Sequence, residues 1–450
     1  MRSLPAILLL LLATATVACR GERQPAARNL LLITLDTLRA DHLGIYGYPR
    51  PTSPNLDAFA ASAAVFDDVT CSMPTTLPSH LSIFTGLRPL EHGVRRNGQI
   101  ADRDLVTLFD LFQQQGAATA AVIASRVLGS KYLAGAGFDE LLFPGAKQQY
   151  QARAELVTEH ASAWLEQHHQ TPFGLWVHYY DSHEPYAPAA SFARAFDRGY
   201  QGELGDALDV KTLVGLNQRP PDEALTADDL AHVTDLYDAE IAYLDHHLGR
   251  LLAHLDELGR LEDTVVVIVG DHGQALGEDG FFGHGLRLLE PVVQVPLLVR
   301  QPGTKRAIRV QTPVETIDLM PTLAELLSLD APSGLAGRSL VPLLAGETLA
   351  SRRFRWIERR SYPDQPEVIG LALHGGSWKA VYYRDEDGRE QRLLSHQSDG
   401  LDSAGQLNVE SEEARWLEAA RSALLLAGSS ATTAAGVDDS EMLRALGYLN

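Results

Sequence analysis

Four short segments hold the side chains best able to do chemistry. Asp36 stands at the carboxyl end of the apolar run Asn29–Leu35. Thr76-Leu-Pro-Ser-His80 sets a hydroxyl ahead of a Pro-initiated helix. The free N–H groups and positive dipole end of such a helix favour a tetrahedral oxyanion and lower the cost of an alkoxide nucleophile. Taken alone, Thr76 reads more readily as a helix N-cap. Asp271-His272 follows another apolar run, Thr264–Val269, with His284 further along the same glycine-rich loop. Carboxylate beside imidazole suits Zn or Mn better than a hard-cation cage of oxygens. An isolated Asp-His is more often a cap with a surface histidine, but the flanking glycines imply a backbone that approaches something closely. The fourth segment is Asp181-Ser-His183.

These residues need elements to position them. Asn29–Leu35 is a continuous apolar stretch, the pattern of a strand buried on both faces of a parallel sheet. Similar runs recur at Ala117–Ile123, Phe173–Tyr179, Thr264–Val269 and Val295–Val299, with helical patterns at Leu105–Phe112, Ala154–Leu165 and Asp228–Leu258. The alternation predicts an α/β sandwich, in which sites form outside the carboxyl ends of the strands. Beyond about residue 350 the pattern turns to alternating stretches at Val368–Leu373, Ser377–Tyr383 and Gln391–Ser395, with a helix expected at Ser411–Leu426 and a short one near Glu441–Leu446. The expected organisation is a catalytic domain over 29–350, a small α+β subdomain over 351–426, and a linker with a terminal helix over 427–450.

With 38 Lys+Arg against 58 Asp+Glu, the formal charge is −20, which repels a nucleic-acid polyanion. A small anionic substrate stays compatible, since a metal reverses the sign inside one pocket. Residues 1–18 read as an export signal, and Thr16-Val17-Ala18-Cys19 is similar to a bacterial lipobox, with 19–28 as a tether. The expected location is the periplasm or cell surface, with the membrane reached through lipid on Cys19. Cys71 is then the sole remaining thiol, which leaves no intramolecular disulfide.

The order of the motifs resembles the sulfatase branch of the alkaline phosphatase superfamily from about Asn29 to Pro342. Leu-Ile-Thr-Leu-Asp36-Thr-Leu-Arg-Ala-Asp with Pro54-Asn-Leu-Asp57 looks like the first metal strand and its loop. Thr76-x-Pro-Ser-x, ending Thr85-Gly86, looks like the nucleophile signature, and Asp271-His272-Gly like the second metal pair. His284 falls where many members carry a substrate-facing Lys or His, and His183 where another substrate-facing histidine sits. The resemblance implies an alkaline-phosphatase-like sandwich with a mostly parallel central sheet and a small C-terminal subdomain.

Three departures bear on function. Sulfatases need a cysteine or serine that becomes formylglycine at the position of Thr76, and threonine cannot; Cys71-Ser-Met-Pro74 has the wrong spacing to replace it. Thr37 stands where sulfatases usually carry a further calcium-binding Asp. His80 stands where they carry an Arg, a role open to protonated imidazole. The resemblance with these departures implies one Zn or Mn, with Ca as the alternative, held by Asp36, Thr76, Asp271 and His272. It implies catalysis by Thr76, His80, His183 and His284 on a small anionic ester or an envelope glycan or lipid headgroup. The expected reaction is hydrolysis of phosphate mono- or diesters. Sulfuric ester hydrolysis, phosphoethanolamine- or phosphoglycerol-type transfer, and an inactive envelope binding protein are the alternatives.

Overall fold

The computed structural model describes residues 28–359 apart from 102–103, 221–222, 305, 351 and 353–354, and beyond them only strand segments between 369 and 406 and residue 418. The signal segment, the lipobox and the helices expected at Ser411–Leu426 and Glu441–Leu446 lie outside the described residues, residue 418 apart.

The central sheet has eight strands: β1 (Asn29–Leu35), β2 (Ala64–Phe66), β3 (Ala118–Ile123), β4 (Glu140–Leu142), β5 (Phe173–Tyr179), β6 (Thr264–Gly270), β7 (Leu297–Arg300) and β8 (Ile308–Val310). They lie in the order β8-β2-β7-β6-β1-β5-β3-β4. All pairings are parallel except those of β7, which runs antiparallel to both β2 and β6. Every residue of β1, β5 and β6 is buried, which explains why these strands read as unbroken apolar runs. Leu35 pairs with Tyr179 on one side and Gly270 on the other, so the residues following all three strands emerge at one level. That register places Asp36 beside Asp271.

Helices cover the sheet. The helix α1 (Thr76–Thr85) is buried at every position and ends on Gly86 in the left-handed conformation, φ 68°. The helix α2 (Ala154–His168) packs on α3 (Ala227–Glu257). A capping box of Thr226 and Asp229 starts α3, and its buried stripe includes Val233, Leu236, Ile241, Leu244, Leu248 and Leu255. One apolar cluster joins these stripes to both faces of the sheet. Past this sandwich, Arg355–Glu358, Ile369–Gly375, Trp378–Arg384, Glu390–His396 and Gly405–Gln406 form an antiparallel sheet in chain order. Glu358 fastens its first strand back to the sandwich, accepting from the Leu90 N–H at 2.9 Å and from Arg95 Nε at 3.0 Å.

Candidate functional site

Three side chains at the carboxyl ends of β1 and β6 share one construction. Asp271 Oδ1 accepts the backbone N–H groups of His272 (2.7 Å) and Thr37 (3.2 Å), which leaves Oδ2 with no hydrogen-bond partner. His272 Nδ1 lies 3.0 Å from the Gly273 carbonyl, which can only accept; the proton is therefore on Nδ1, and Nε2 carries a bare lone pair. Asp36 Oδ2 lies 3.1 Å from His178 Nε2, and Asp36 Oδ1 has no partner. The ligand atoms offered by Asp36, Asp271 and His272 all fall within 4.8 Å of one another, and all three residues are fully buried. His272 Nε2 stands 3.5 Å from Asp271 Oδ2 and 3.9 Å from Asp36 Oδ1.

Three orphaned electron-pair donors aimed into one buried space fit a divalent cation. The electrostatics agree. Burial, and then the charge of Asp271, hold the Asp36 carboxyl well above its usual range; burial does the same to Asp271 and pushes His272 down to about 3. Two buried carboxylates at this spacing are costly as neighbouring anions unless a cation sits between them.

The backbone is shaped to hold this tripod. Thr37 adopts φ 54°, in the left-handed region, and this turn aims its N–H at Asp271; the Tyr237 hydroxyl donates to the Thr37 carbonyl at 2.7 Å and anchors it. A Cβ on Gly273 would lie 1.9 Å from the Pro291 carbonyl oxygen, the close approach that the glycine-flanked motif implied. Ser79 Oγ donates to the Asp271 carbonyl and Ser182 Oγ to that of Asp36, both at 2.6 Å.

Thr76 is the first residue of α1 rather than its N-cap, which is Thr75. Fully buried, it hydrogen-bonds through its side chain to Asp36. The site thus gains a hydroxyl at a helix N-terminus touching a tripod carboxylate. Asn97 Oδ1 accepts the Leu77 N–H at 2.8 Å, and its buried Nδ2 has no partner among the described residues.

His183 and His284 stand beside His272. The His284 ring centroid is 4.5 Å from that of His272 and 5.0 Å from that of His183. His183 is buried and stacks on Tyr180 at 4.2 Å, whereas His284 is half-buried.

His80 packs against the first turn of α1. Its Nδ1 donates to the Thr76 carbonyl at 2.8 Å, and its Nε2 accepts from the Thr34 hydroxyl at 2.9 Å, which in turn accepts from Trp176 Nε1 at 2.8 Å. Burial pushes its pKa down to about 4. The same Nδ1 that holds the Thr76 carbonyl stands 3.6 Å from Asp271 Oδ2, so His80 touches both the first turn of α1 and a tripod carboxylate.

Reasoning from the sequence passed over His178, Asn97, Gln274 and Glu184. His178 accepts at Nδ1 from the Ala124 N–H (3.3 Å), so Nε2–H donates to Asp36, the outer partner of a ligating carboxylate. It lies inside the apolar run of β5, where a histidine reads as core. Gln274 joins His284 to Glu184, and only the general importance of the Asp271–His284 loop pointed toward it.

Comparison with known proteins places this geometry in context. The family model described as Sulfatase matches residues 28–329, and one described as N-sulphoglucosamine sulphohydrolase, C-terminal, matches 277–401. An N-acetylglucosamine-6-O-sulfatase of Bacteroides thetaiotaomicron is 23% identical over 473 residues, spanning 86% of this chain and 85% of its own. A sulfatase of Formosa agariphila is 26% identical over 395 residues, spanning 74% and 77%. Among solved structures, the phosphonate monoester hydrolase of Agrobacterium radiobacter superposes with a TM-score of 0.69 at 19% identity, covering 89% of this chain and 95% of that one. A protein in complex with its substrate D-glucosamine-2-N,6-O-disulfate superposes with a TM-score of 0.71 at 17% identity, covering 93% and 98%. At such identities the two structures show a common fold.

Proposed function

The chain belongs to the sulfatase family, and within it we propose a divalent-metal-dependent hydrolase of phosphoric esters in which Thr76 is the nucleophile. One observation carries the reading: the buried Thr76 hydroxyl sits at the start of α1, bonded to a carboxylate of the orphaned tripod. Threonine cannot become formylglycine, so any covalent intermediate must leave by attack of water on the Thr76 ester.

An ion held by Asp36, Asp271 and His272, with Thr76 as a further ligand, supplies Lewis-acid chemistry that favours the alkoxide and screens the charge of the ester. The remaining steps belong to the chain. Thr76 Oγ attacks phosphorus; its bond to phosphorus forms as the bond to the leaving oxygen breaks, and the leaving oxygen takes a proton. Water then attacks the phosphothreonine, releasing inorganic phosphate or a monoester and returning the proton to Oγ. His80 fixes the first turn of α1 through the Thr76 carbonyl. His183 and His284, whose rings cluster with that of His272, are assigned to the ester oxygens, and Asn97, which holds the Leu77 N–H through Oδ1, is assigned a donor role through Nδ2. Asn97→Ala is expected to lower kcat by about 10²-fold, the cost of one oxyanion donor. Steady-state kinetics with unchanged thermal unfolding check this, and unaltered kcat removes Asn97 from the site.

A sulfuric ester is the second reading, and the names of the relatives support it better than they support a phosphoric ester. Paired hydrolysis of p-nitrophenyl phosphate, a bis-ester phosphodiester and p-nitrophenyl sulfate, with Zn, Mn or Ca supplied, decides between the two. Turnover of phosphoesters with Zn or Mn supports the main reading; turnover of the sulfate alone with Ca overturns it.

No helix among the described residues is long and apolar enough to cross a membrane. We place the chain in the cell envelope, attached through lipid on Cys19. Cys19→Ala is expected to move the protein from the membrane pellet to the soluble fraction, and unchanged pelleting would refute the anchor.

A further inference from the structure

We propose that Tyr237 is a positioning residue of the tripod: its hydroxyl, carried on α3, locks the left-handed turn at Thr37 and so presets the two carboxylates for a divalent cation. Thr37 is β-branched, fully buried and held at φ 54°, where its Cβ crowds the following carbonyl. A turn of this kind persists only where its surroundings hold it. It matters here because Thr37 directly follows the ligand Asp36 and gives its N–H to Oδ1 of the ligand Asp271 at 3.2 Å. Were the turn to relax to negative φ, that N–H would swing away and Oδ1 would keep only the His272 N–H.

The Tyr237 hydroxyl grips the turn at both ends. It donates to the Thr37 carbonyl at 2.7 Å and accepts the Arg39 N–H at 3.0 Å. Arg39 extends the brace to the other ligand loop, donating from Nη1 to the Gln274 carbonyl at 3.2 Å. The loop after β1 is thereby tied to the loop bearing Asp271 and His272 at two places, by Thr37 directly and by Arg39.

The base of the brace is rigid. On α3, Asp238 lies 2.7 Å from His42 Nδ1 and accepts from Arg50 at 2.6 Å, while Asp245 accepts the N–H groups of Asn55 (2.9 Å) and Leu56 (2.8 Å). The same helix thus holds the chain after β1 at three points. The Tyr237 ring is fully buried and meets His42 and Tyr186 edge to face. Removing its hydroxyl takes these partners from a buried carbonyl and a buried N–H while the ring and the helix stay. Apparent affinity scales with the share of molecules whose ligands already stand in place, so the brace, which rests on reading the tripod as a metal site, shows itself in metal binding.

Calorimetric titration of the chelator-stripped mature chain with Zn or Mn is the test. Tyr237→Phe is expected to weaken binding about 10- to 100-fold, the usual effect of losing an outer support of a metal ligand, with kcat at saturating metal near wild type. Tyr179→Phe controls for a buried hydroxyl lost elsewhere, since the Tyr179 hydroxyl lies 2.7 Å from Thr158 Oγ1. It should lower the unfolding temperature as Tyr237→Phe does and leave metal affinity unchanged. Thr37→Gly added to Tyr237→Phe should tighten binding again by about fivefold or more, because glycine holds a left-handed turn without a brace. The Asp36 carbonyl, to which the Thr37 hydroxyl donates, keeps its bond from Ser182 Oγ in that double variant. Equal affinity in wild type and Tyr237→Phe, or a loss that Thr37→Gly does not relieve, overturns the role given to Tyr237. A wild-type chain that takes up no ion overturns tripod and brace together, whereas tight metal binding without hydrolysis of any ester overturns the hydrolase reading alone.

Discussion

Thr76→Ala is expected to lower kcat on the order of 10⁴-fold while metal content and thermal unfolding stay near wild type. The hydroxyl lost is the group bonded to Asp36, and the ligands Asp36, Asp271 and His272 keep their own backbone and side-chain supports. Alanine keeps the β-carbon and is the best helix former, so α1 should keep its first turn although the γ-methyl is lost with the hydroxyl. Thr76→Ser keeps the oxygen and is expected to retain activity within roughly 10-fold, because serine can supply the same alkoxide with one more rotamer to restrain. Activity in Thr76→Ala within tenfold of wild type would show that another group, or water, makes the bond to the ester.

Asp271→Asn is expected to do the opposite to stability and function. It removes one ligand charge and one Oδ2 lone pair from the tripod, so activity should fall by about 10³-fold or more. The metal-free variant should nevertheless unfold at a higher temperature than metal-free wild type, because it no longer buries two carboxylates against each other. The sign follows from the pKa directions. Asp36 and Asp271 have folded pKa values above their unfolded ones; the stability they contribute is complete below about pH 4 and is lost as pH rises through the folded values. The buried histidines run the other way. With His80 at about 4 and His272 at about 3, their contribution is complete above the ordinary value near 6.5 and is lost as pH falls below it. Metal-free wild type is thus squeezed from both sides, and the variant relieves only the alkaline side. Calorimetric unfolding from pH 4 to 8 should show the gap between variant and wild type widening with pH. Added metal at about a hundredfold excess over Kd should stabilise wild type by about 2.7 kcal/mol. Any such stabilisation of the variant should be smaller by the tripod's share. A variant less stable than wild type at every pH without metal would contradict the charge argument.

The parts legible in the sequence were those whose physics is local. Asn29–Leu35 and Phe173–Tyr179 are strands over the expected residues because burial on both faces demands an unbroken apolar run. The long helix, expected at Asp228–Leu258, runs Ala227–Glu257, since its apolar spacing and its Thr226 cap agree. Strands β2, β4 and β8 span three residues each, too few to establish a period, and they exist only because the sheet beside them is already built. Asp36 and Asp271 could be found because chemistry collects after parallel strands.

Other site features depend on tertiary packing. The surroundings of His80, between α1, Thr34 and Trp176, come from distant parts of the chain and could not be read from its position in the motif. His178 hides in an apolar strand, and Asn97 and Gln274 are amides on loops, where nothing periodic marks them. The ester remains the point at which two observations pull apart: threonine at position 76 argues for phosphorus, while the relatives are named for sulfate.

Acid quenching of the enzyme during turnover, with ³²P- or ³⁵S-labelled ester, followed by peptide mapping, tests the central claim most directly. The account predicts ³²P on the peptide carrying Thr76 in wild type and no label in Thr76→Ala. Turnover of the labelled phosphoester at wild-type rate in Thr76→Ala, with the label on no peptide, would contradict it.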